Sequence, residues 1–209
     1  MKKNTGRKKP KTPSIKNKKE ILKKIKFHPL TIKRWHDFEL LFGEKGACGG
    51  CWCMWWKLTR SEFEKKKGSA NKQAMLKIVK SGEIPGILAY FKNQPIAWCA
   101  VAPREKYPRL ERSRVLKCVD EKPVWSIVCF FIAPQYRRLR MTIELLKFVI
   151  MYCKKQGAKI IEGYPVQPKK QNIPAVFAWT GFASAFQKAG FKEVARRSPT
   201  RPIMRFEIK

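Results

Sequence analysis

The chain has 209 residues, 44% of them apolar, which is enough for one domain with an appendage or at most two small domains. No stretch approaches the roughly 18 apolar residues of a membrane span, and the basic N-terminus lacks the apolar segment of a secretory signal. Seven cysteines without an export signal indicate reduced thiols. We therefore expect a cytoplasmic protein with no membrane contact and no disulfides.

The positive charge has two interpretations. The chain carries 47 Lys and Arg against 15 Asp and Glu, a net charge of +32. Such an excess is typical of proteins that bind nucleic acid or another anionic surface. The lysines are spread along the whole chain, however, as a lysine-biased proteome would also produce. Contact with RNA or the ribosome is one hypothesis among others.

Residues 1–26 form a basic arm. Twelve of these positions carry Lys or Arg, and almost nothing apolar precedes Ile21. The arm is too charged to bury itself, so it is predicted to be disordered, with a helix near its end. It would serve solubility or tether the protein to nucleic acid or a ribosome. Residues 27–209 would form the folded domain.

Beyond the arm, the pattern predicts the order β, α, α, β, β, β, α, β, α, β, β. This order is typical of a single layered α/β or α+β fold with a mostly antiparallel sheet. The predicted segments outside the centre are a strand at 27–30, a helix at 32–42 with Thr31 as N-cap, a helical region with Ser61 and Glu64 at capping-box spacing, a helix at 71–80, a hairpin at 86–91 and 95–102, a helix at 176–190, and strands at 192–196 and 203–208.

The centre of the chain, residues 124–164, predicts a βαβ unit. An almost continuous apolar run at 125–132 indicates a strand covered on both faces. A basic turn at 134–140, an amphipathic helix at 141–155 and a strand at 159–163 follow. Because the turn places backbone N–H groups at a helix N-terminus beside arginines, we expect it to bind phosphate.

The sequence GACGGCWCMWW, residues 46–56, is the densest cluster of unusual residues. Cys48 and Cys51 have the spacing of zinc ligands, and Cys53 follows, but a structural zinc site takes four ligands. The chain has no second C-x-x-C, and its only histidines are His28 and His36. We therefore predict no metal site.

The element order and several motifs resemble the GNAT acetyltransferase superfamily over residues 27–209. The resemblance rests on PGILAYFKNQPIAWCAVAP in the first hairpin, VWSIVCFFIAPQYRR in the central strand and turn, IIEGYPV in the partner strand, and FAWTGFASAFQKAGFKEVARRS at the end. GACGGCWCMWW and EGYPV resemble a bacterial subgroup. The resemblance implies a GNAT-like mixed sheet and acetyl-CoA as co-substrate. It also implies transfer to an amine on a small molecule or a protein.

The resemblance also implies where coenzyme A binds. In such proteins the pyrophosphate sits on the turn before the central helix, and the pantetheine arm pairs with the edge of a strand that splays from its parallel neighbour. The implied pantetheine contacts are Cys129, Phe130, Phe131 and Ile132, and the implied phosphate contacts are Arg137, Arg138, Leu139, Arg140, Met141 and Thr142.

One residue departs from the superfamily turn, Arg/Gln-x-x-Gly-x-Gly/Ala. Arg140 occupies the first glycine position, where the absence of a side chain lets the backbone approach the phosphate. Its guanidinium could compensate by contacting a phosphate directly. The alternative is weakened cofactor binding, or a binding module without catalysis.

Acetyl transfer to an amine needs a base, a donor to the thioester carbonyl oxygen and an acid for the leaving thiolate. We expect Glu162, among apolar neighbours at the end of the splayed strand, to be the base, although it could equally face solvent. Tyr164, two residues further along, is the candidate acid. In many members of the resembling superfamily this acid is a tyrosine on the last helix, where this chain has Trp179 and Phe182. Strand N–H groups around 129–131 would contact the oxyanion. Cys129 is not favoured as a nucleophile, because buried strand cysteines usually pack.

In the resembling fold the loop at 46–56 overhangs the acceptor site. Trp52, Trp55 and Trp56 would then wall an apolar or cation-binding acceptor pocket. Alternatively, they fill the core beneath the loop. The leading hypothesis for the whole chain is an acetyl-CoA-dependent N-acetyltransferase. The alternative is a non-catalytic basic protein that binds RNA or the ribosome on the same scaffold.

Overall fold

The structure, a computed structural model, describes residues 15–168 and 178–209. In this part of the chain one sheet of seven strands has the order β1-β2-β3-β4-β5-β7-β6. Every neighbouring pair is antiparallel except β4 with β5. This confirms the predicted mixed, mostly antiparallel sheet. The strands are β1 (Lys26–Pro29), β2 (Gly86–Phe91), β3 (Gln94–Pro103), β4 (Trp125–Ile132), β5 (Ile160–Gly163), β6 (Lys192–Arg196) and β7 (Pro202–Glu207).

Helices cover both faces of the sheet. They are α1 (Ile15–Lys23), α2 (Trp35–Phe42), α3 (Arg60–Lys65), α4 (Ser69–Lys80), α5 (Pro108–Glu111), α6 (Met141–Lys155) and α7 (Ala183–Lys188). One core joins α2, α4 and the loop at 46–58 to the face of β3 that carries Trp98. The other joins α6 and α7 to the face that carries Cys99. None of the helices in the described ranges is long and apolar enough to cross a membrane.

The central βαβ unit has the predicted elements. The strand covers Trp125–Ile132 and the helix Met141–Lys155, as predicted, while the second strand begins at Ile160. Leu145 and Val149 of α6 are fully buried against the sheet. The apolar periodicity therefore identified this unit, because both of its faces are covered.

The basic arm is partly ordered. Its first 14 residues lie outside the described residues, but α1 covers Ile15–Lys23, as expected for a helix near the end of the arm. Ile21 is buried and β1 already begins at Lys26. Regular structure therefore begins within the arm, before residue 27, where the side chain of Ile21 is buried.

Two helix starts differ from the prediction. Thr31 makes no side-chain cap; a short 3-10 turn, Ile32–Arg34, follows it, and α2 begins at Trp35. The capping box uses Thr59 and Glu62 instead of Ser61 and Glu64. Both pairs fit the same Ser/Thr-x-x-Glu spacing, so sequence alone could not choose between them.

The last helix is much shorter than the predicted 176–190. Residues 176 and 177 lie outside the described residues, Trp179 and Thr180 form a turn, and α7 covers only Ala183–Lys188. Gly181 has a φ of +81°, which ends any helical continuity there. A Cβ on Gly181 would lie 3.0 Å from the rings of Phe130 and Phe186, so the turn packs tightly against β4 and α7.

The capping box provides a stability test. The Glu62 N–H donates to Thr59 Oγ1 at 3.3 Å, and the Thr59 N–H donates to Glu62 Oε2 at 2.9 Å. Thr59→Ala should lower the free energy of unfolding by about 1 kcal/mol, the usual cost of a lost N-cap, as measured by urea unfolding. Ser61→Ala is the matched control and should change little. Equal losses in both variants would contradict this assignment of the helix start.

Candidate functional site

The two parallel strands of the central unit stay paired over a short distance. Three residue pairs join β4 to β5, the first between Trp125 and Ile161 and the last between Ile127 and Gly163. Beyond Ile127, β4 continues to Ile132 without pairing with β5. A Cβ on Gly163 would lie 2.1 Å from the ring of Phe186, so α7 packs directly on the backbone at the end of β5. The strands therefore splay, as predicted, and one edge of β4 faces away from β3 without a strand partner.

Only alternate residues of β4 present their amides to that edge. The Ala133 N–H donates to the Ile96 carbonyl on β3, and Ala97 lies opposite Ile132. In an antiparallel pair of this register the amide of Ile132 points away from β3, and so does that of Phe130 two residues earlier. The amides of Cys129 and Phe131 point to β3. The backbone of Phe130 and Ile132 can therefore face a ligand at this edge, and that of Cys129 and Phe131 faces β3. The pantetheine contact at 129–132 stays a prediction.

Part of this edge is already bonded within the fold. The Phe130 N–H donates to the Trp179 carbonyl at 2.6 Å, and the Ile132 carbonyl accepts from Arg137 Nε at 3.0 Å. Upstream, the Val128 carbonyl accepts from Trp56 Nε1 at 3.1 Å. Among the described residues, the Phe130 carbonyl and the Ile132 N–H have no hydrogen-bond partner. An oxyanion contact from Phe130 N–H would require Trp179 to move.

The turn before α6 presents free backbone donors. In the described structure, no backbone carbonyl accepts from the N–H groups of residues 138–142, which precede or open the helix. Arg138 and Arg140 both have left-handed backbone angles, with φ of 62° and 60°. Alternating hands of this kind turn successive N–H groups toward one point and create an anion-binding concavity. The dipole of the 15-residue helix adds to it.

Arg140 adopts the backbone conformation that glycine would take. Its φ of 60° and ψ of 19° lie in the left-handed helical region. For a residue with a Cβ this costs about 1–2 kcal/mol. The turn therefore keeps its shape without glycine, at a cost in stability. The buried side chains of Leu139 and Met141 anchor it from both sides, so only their backbones can face a ligand.

The polar side chains of this turn differ in exposure. Arg137, Arg138 and Arg140 are exposed, while Thr142 is half-buried on the first turn of α6. Three guanidinium groups can therefore reach an anion held by the turn, and guanidinium matches phosphate geometry well. The residues present fit the pyrophosphate of coenzyme A.

Glu162 lies in a buried ionic network. It is fully buried, its Oε1 accepts from Arg104 Nη1 at 3.1 Å, and its Oε2 accepts from Arg205 Nε at 2.7 Å. Neither expected surrounding, an apolar pocket or open solvent, is present. Each carboxylate oxygen is therefore bonded to a guanidinium group inside the core. Its role as base stays a prediction, and this geometry does not favour it.

Tyr164 belongs to the same network. Its hydroxyl donates to Glu162 Oε1 at 2.7 Å, accepts from Arg104 Nη1 at 2.6 Å and lies 2.8 Å from Ser126 Oγ. Burial, with the nearby Glu162 charge, raises the pKa of Tyr164 well above its usual value. It holds its proton firmly, and the structure gives it no open side toward a thiolate. Its role as acid also stays a prediction.

Two outer carboxylates complete the network. Arg104 Nε donates to Glu111 at 2.6 Å, and the Arg205 guanidinium donates to both Asp120 oxygens at 2.6 and 3.0 Å. Neither arginine was predicted from the sequence to lie at this site. They lie 58 and 43 positions from Glu162 in the chain, and no spacing rule connects them with it. The network joins the connection after β3 to β5 and β7.

The three tryptophans of the loop at 46–56 have different surroundings. Trp52 is buried and stacks on Phe42 with ring centroids 5.7 Å apart, so it fills the core. Trp56 is buried and lies 5.8 Å from the ring of Trp179. Trp55 is half-buried, and the Arg109 guanidinium lies 3.6 Å over its ring. The acceptor pocket stays a prediction. Trp55 and Trp56 could line such a pocket, whereas Trp52 fills the core.

The three cysteines of the loop at 46–56 have different surroundings. Cys48 is exposed, Cys51 is half-buried with its thiol directed at the Gly46 carbonyl, and Cys53 is buried with its sulfur 3.1 Å from Trp98 Nε1. Throughout residues 15–168 and 178–209, no three His, Cys, Asp or Glu side chains are grouped as metal ligands. The thiol spacing in the sequence therefore does not become a ligand cluster.

The ionic network can be tested through stability. Glu162→Gln places an amide N–H against a buried guanidinium, and breaking a buried ion pair on one side costs about 3–5 kcal/mol. We expect a loss of that size in the free energy of unfolding, measured with urea.

The matched control is Glu193→Gln, which removes an exposed carboxylate from Arg196 and should cost only about 0.5 kcal/mol. If both variants lost the same small amount, the Glu162 network would not be the buried structure described above.

Comparison with known proteins gives consistent results. The model of the acetyltransferase (GNAT) family matches residues 52–182. Among solved structures, the PaiA N-acetyltransferase of Thermoplasma acidophilum, in complex with coenzyme A, is 16% identical, with 88% of this chain and 99% of that chain covered and a TM-score of 0.50. An acetyltransferase of the GNAT family from Streptococcus agalactiae is 11% identical over 88% of this chain and 96% of that one, with a TM-score of 0.53.

A third structure, an N-acetyltransferase of Staphylococcus aureus, is 9% identical, with 88% and 99% of the two chains covered and a TM-score of 0.53. Identities this low show a shared fold. No curated protein sequence matches the chain significantly.

Proposed function

Because the chain belongs to the acetyltransferase (GNAT) family, whose acetyl donor is acetyl-CoA, we propose that it is an N-acetyltransferase. It transfers the acetyl group directly from acetyl-CoA to an amine on a small molecule or a protein. One observation supports the proposal: among the described residues, no backbone carbonyl accepts from the N–H groups of residues 138–142, in a turn where Arg138 and Arg140 both have a positive φ. That arrangement suits a pyrophosphate followed by an extended arm.

The turn would hold the pyrophosphate. The N–H groups of 138–142 donate to phosphate oxygens, and the exposed guanidinium groups of Arg138 and Arg140 neutralise their charge. Arg140 therefore has two opposed effects. Its backbone strain lowers stability, and its side chain adds a charge-assisted contact that glycine could not make.

The edge of β4 would hold the pantetheine. The Ile132 N–H and the Phe130 carbonyl are spaced as one strand pairs with another, and an amide-containing chain can bond to both. An arm that leaves the turn in this direction passes Trp56 and Trp179, which lie at the far end of the open edge. Acetyl-CoA supplies an activated thioester there, and these indoles exclude water from it.

For the acceptor side, we propose that Glu162 and Tyr164 act as a rigid pair. Arg104 and Arg205 fix the Glu162 carboxylate, and Glu162 fixes the Tyr164 hydroxyl. The predicted base and acid roles require the amine to approach this pair from the face that also carries Trp98. Trp55 and Trp56 are the aromatic residues that would contact the acceptor.

Acetyl-CoA binding is the first test. A ligand that binds only the native state raises the melting temperature, so millimolar acetyl-CoA should raise it in a thermal shift assay. Arg140→Ala should weaken the affinity about tenfold or more in calorimetry, because a charge-assisted hydrogen bond contributes about 1.5–3 kcal/mol.

Lys147→Ala is the matched control. It removes one exposed positive charge from the same helix, away from the turn, and should leave affinity near that of the parent. Absence of any thermal shift in the parent would overturn the proposed enzyme. Equal weakening in both variants would show that Arg140 acts only through net charge.

The conformation of Arg140 can also be tested through stability. Arg140→Gly should raise the free energy of unfolding by about 1 kcal/mol, because glycine adopts the left-handed conformation without strain. Urea unfolding of the ligand-free protein measures this. A loss of stability would show that the turn does not have the conformation described.

Contact of the basic arm with nucleic acid stays a second candidate. Its motivation is the charge of residues 1–14, which carry six of the chain's 47 Lys and Arg. Deleting these residues should flatten the salt dependence of RNA binding, with each lost phosphate contact reducing the slope by about 0.7–0.9. Fluorescence anisotropy with a labelled RNA checks this, and an unchanged slope would exclude the arm. Residues 15–26 should be kept, since Ile21 is buried.

A further inference from the structure

Arg109 contacts the tryptophans beside the open edge of β4. Its guanidinium carbon lies 3.6 Å from the centre of the Trp55 ring, and its Nη1 donates to the Trp55 carbonyl at 3.3 Å. Its backbone N–H donates to the Trp56 carbonyl at 3.3 Å. Both indole rings pack against Trp179, with ring centroids 6.3 and 5.8 Å apart, and the Trp179 carbonyl accepts from the Phe130 N–H on that edge. Arg109 is therefore linked to the edge through one layer of aromatic residues.

The aromatic rings of this loop already hold cations of the protein itself. A ligand ammonium group binds over the face of an aromatic ring. One face of Trp55 carries the Arg109 guanidinium, and Lys72 Nζ lies 5.3 Å from the centre of the Trp52 ring. A second positive charge beside either cation would be repelled. These tryptophans therefore do not favour a cationic acceptor.

The carboxylates in the ionic network and beneath the loop are also occupied. Glu83, Glu111, Asp120 and Glu162 each form at least one ion pair with Lys or Arg. A cationic group on an acceptor would have to compete with these protein cations for each carboxylate. The second attraction that a polyamine acceptor would need is therefore missing at these four positions.

Two arginines of the same region lack a carboxylate partner. Within residues 15–168 and 178–209, no ion pair includes Arg109 or Arg201, and residues 1–14 and 169–177 contain no Asp or Glu. Arg201 Nη1 donates to Thr180 Oγ1 at 3.1 Å, directly after Trp179. The two arginines therefore lie on either side of the turn that contains Trp179 and Thr180.

Both guanidinium groups are half-buried. Burial lowers the pKa of Arg109 and of Arg201, and the charge of Arg60 lowers that of Arg109 further. The carboxylate of Glu64 acts on Arg109 in the opposite direction, but it is in an ion pair with Lys67. A partly desolvated guanidinium without an opposite charge gains most from a ligand anion, which restores the hydrogen bonds lost on burial.

We propose that Arg109 and Arg201 select an acceptor amine whose molecule also carries a carboxylate. This inference rests on the proposed function. In the described structure, Nε and Nη2 of both arginines have no acceptor, so they are free to donate to the carboxylate. The amine at the other end of the acceptor then reaches the thioester beside Trp56. Transfer forms the amide C–N bond and breaks the thioester C–S bond, while the amine loses one proton and the leaving thiolate gains one.

The test compares γ-aminobutyrate, putrescine and butylamine as acceptors. Each has four carbons and an amine at one end, and the other end is anionic, cationic or apolar. The full-length protein is supplied with acetyl-CoA, and the acetylated amines are quantified by mass spectrometry. We expect kcat/KM for γ-aminobutyrate to exceed that for putrescine at least about tenfold, as expected for a charge-assisted hydrogen bond. Equal values, or a preference for putrescine, would overturn the inference.

A variant separates selection from a structural role. Arg109→Gln should lower kcat/KM for γ-aminobutyrate about tenfold, mainly through a higher KM, and leave butylamine unchanged. Arg112→Gln is the matched control, because it removes an exposed arginine from the end of the same short helix and should change none of the three values. If Arg109→Gln lowered all three values equally, Arg109 would only support the fold, and the inference would be wrong.

Binding decides the question if none of the three amines is acetylated. In calorimetry on the protein saturated with acetyl-CoA, γ-aminobutyrate must then bind at least about tenfold more tightly than putrescine, and Arg109→Gln must remove the difference. Any other result rejects the inference. A melting temperature that rises with acetyl-CoA, without this preference, would leave the proposed function standing, whereas absence of the rise would reject that function itself.

Discussion

The short parallel contact between β4 and β5 is the constraint on which the rest of the site depends. Three residue pairs join the strands, and Phe186 packs against the backbone of Gly163, where the pairing ends. The same divergence creates an unpaired strand edge and aims it at the N-terminus of α6. An edge amide is costly to leave without a partner when it is buried. The fold meets part of this cost internally, through Trp179 and Arg137, and within residues 15–168 and 178–209 the Phe130 carbonyl and the Ile132 N–H have no partner.

Stability and binding compete at the turn before α6. Leucine and methionine side chains hold the turn from inside, and Arg140 accepts a left-handed conformation between them. The turn keeps the backbone conformation that glycine would adopt. Arginine in place of glycine at position 140 therefore changes the chemistry of the turn more than its geometry. In the proposed complex, a guanidinium stands beside the phosphate where glycine would present backbone alone. The cost of the left-handed conformation and the gain from the proposed charged contact would be of similar size, about 1–3 kcal/mol each.

The sequence was informative where one local pattern had one structural solution. The almost continuous apolar run at 125–132, followed by a basic turn, indicated a strand covered on both faces, and the helix at Met141–Lys155 followed from its periodicity. It was uninformative where a contact joins distant positions. Nothing near Glu162 indicates that Arg104 and Arg205 would reach it, and so its expected role as a base in an apolar pocket was built on incomplete surroundings. The last helix was predicted too long for a local reason. The apolar spacing of its residues is helical, but Gly181 has a positive φ that interrupts a helix.

The most direct test is a structure of the complex with acetyl-CoA. The account predicts pyrophosphate oxygens within hydrogen-bonding distance of the N–H groups of residues 138–142 and of the Arg140 guanidinium, with a pantetheine amide bonded to the Ile132 N–H. The acetyl group should lie on the side of β4 where Trp56 and Trp179 meet. A complex in which the pyrophosphate lies away from this turn, or in which β4 and β5 close on each other with the coenzyme elsewhere, would contradict the account.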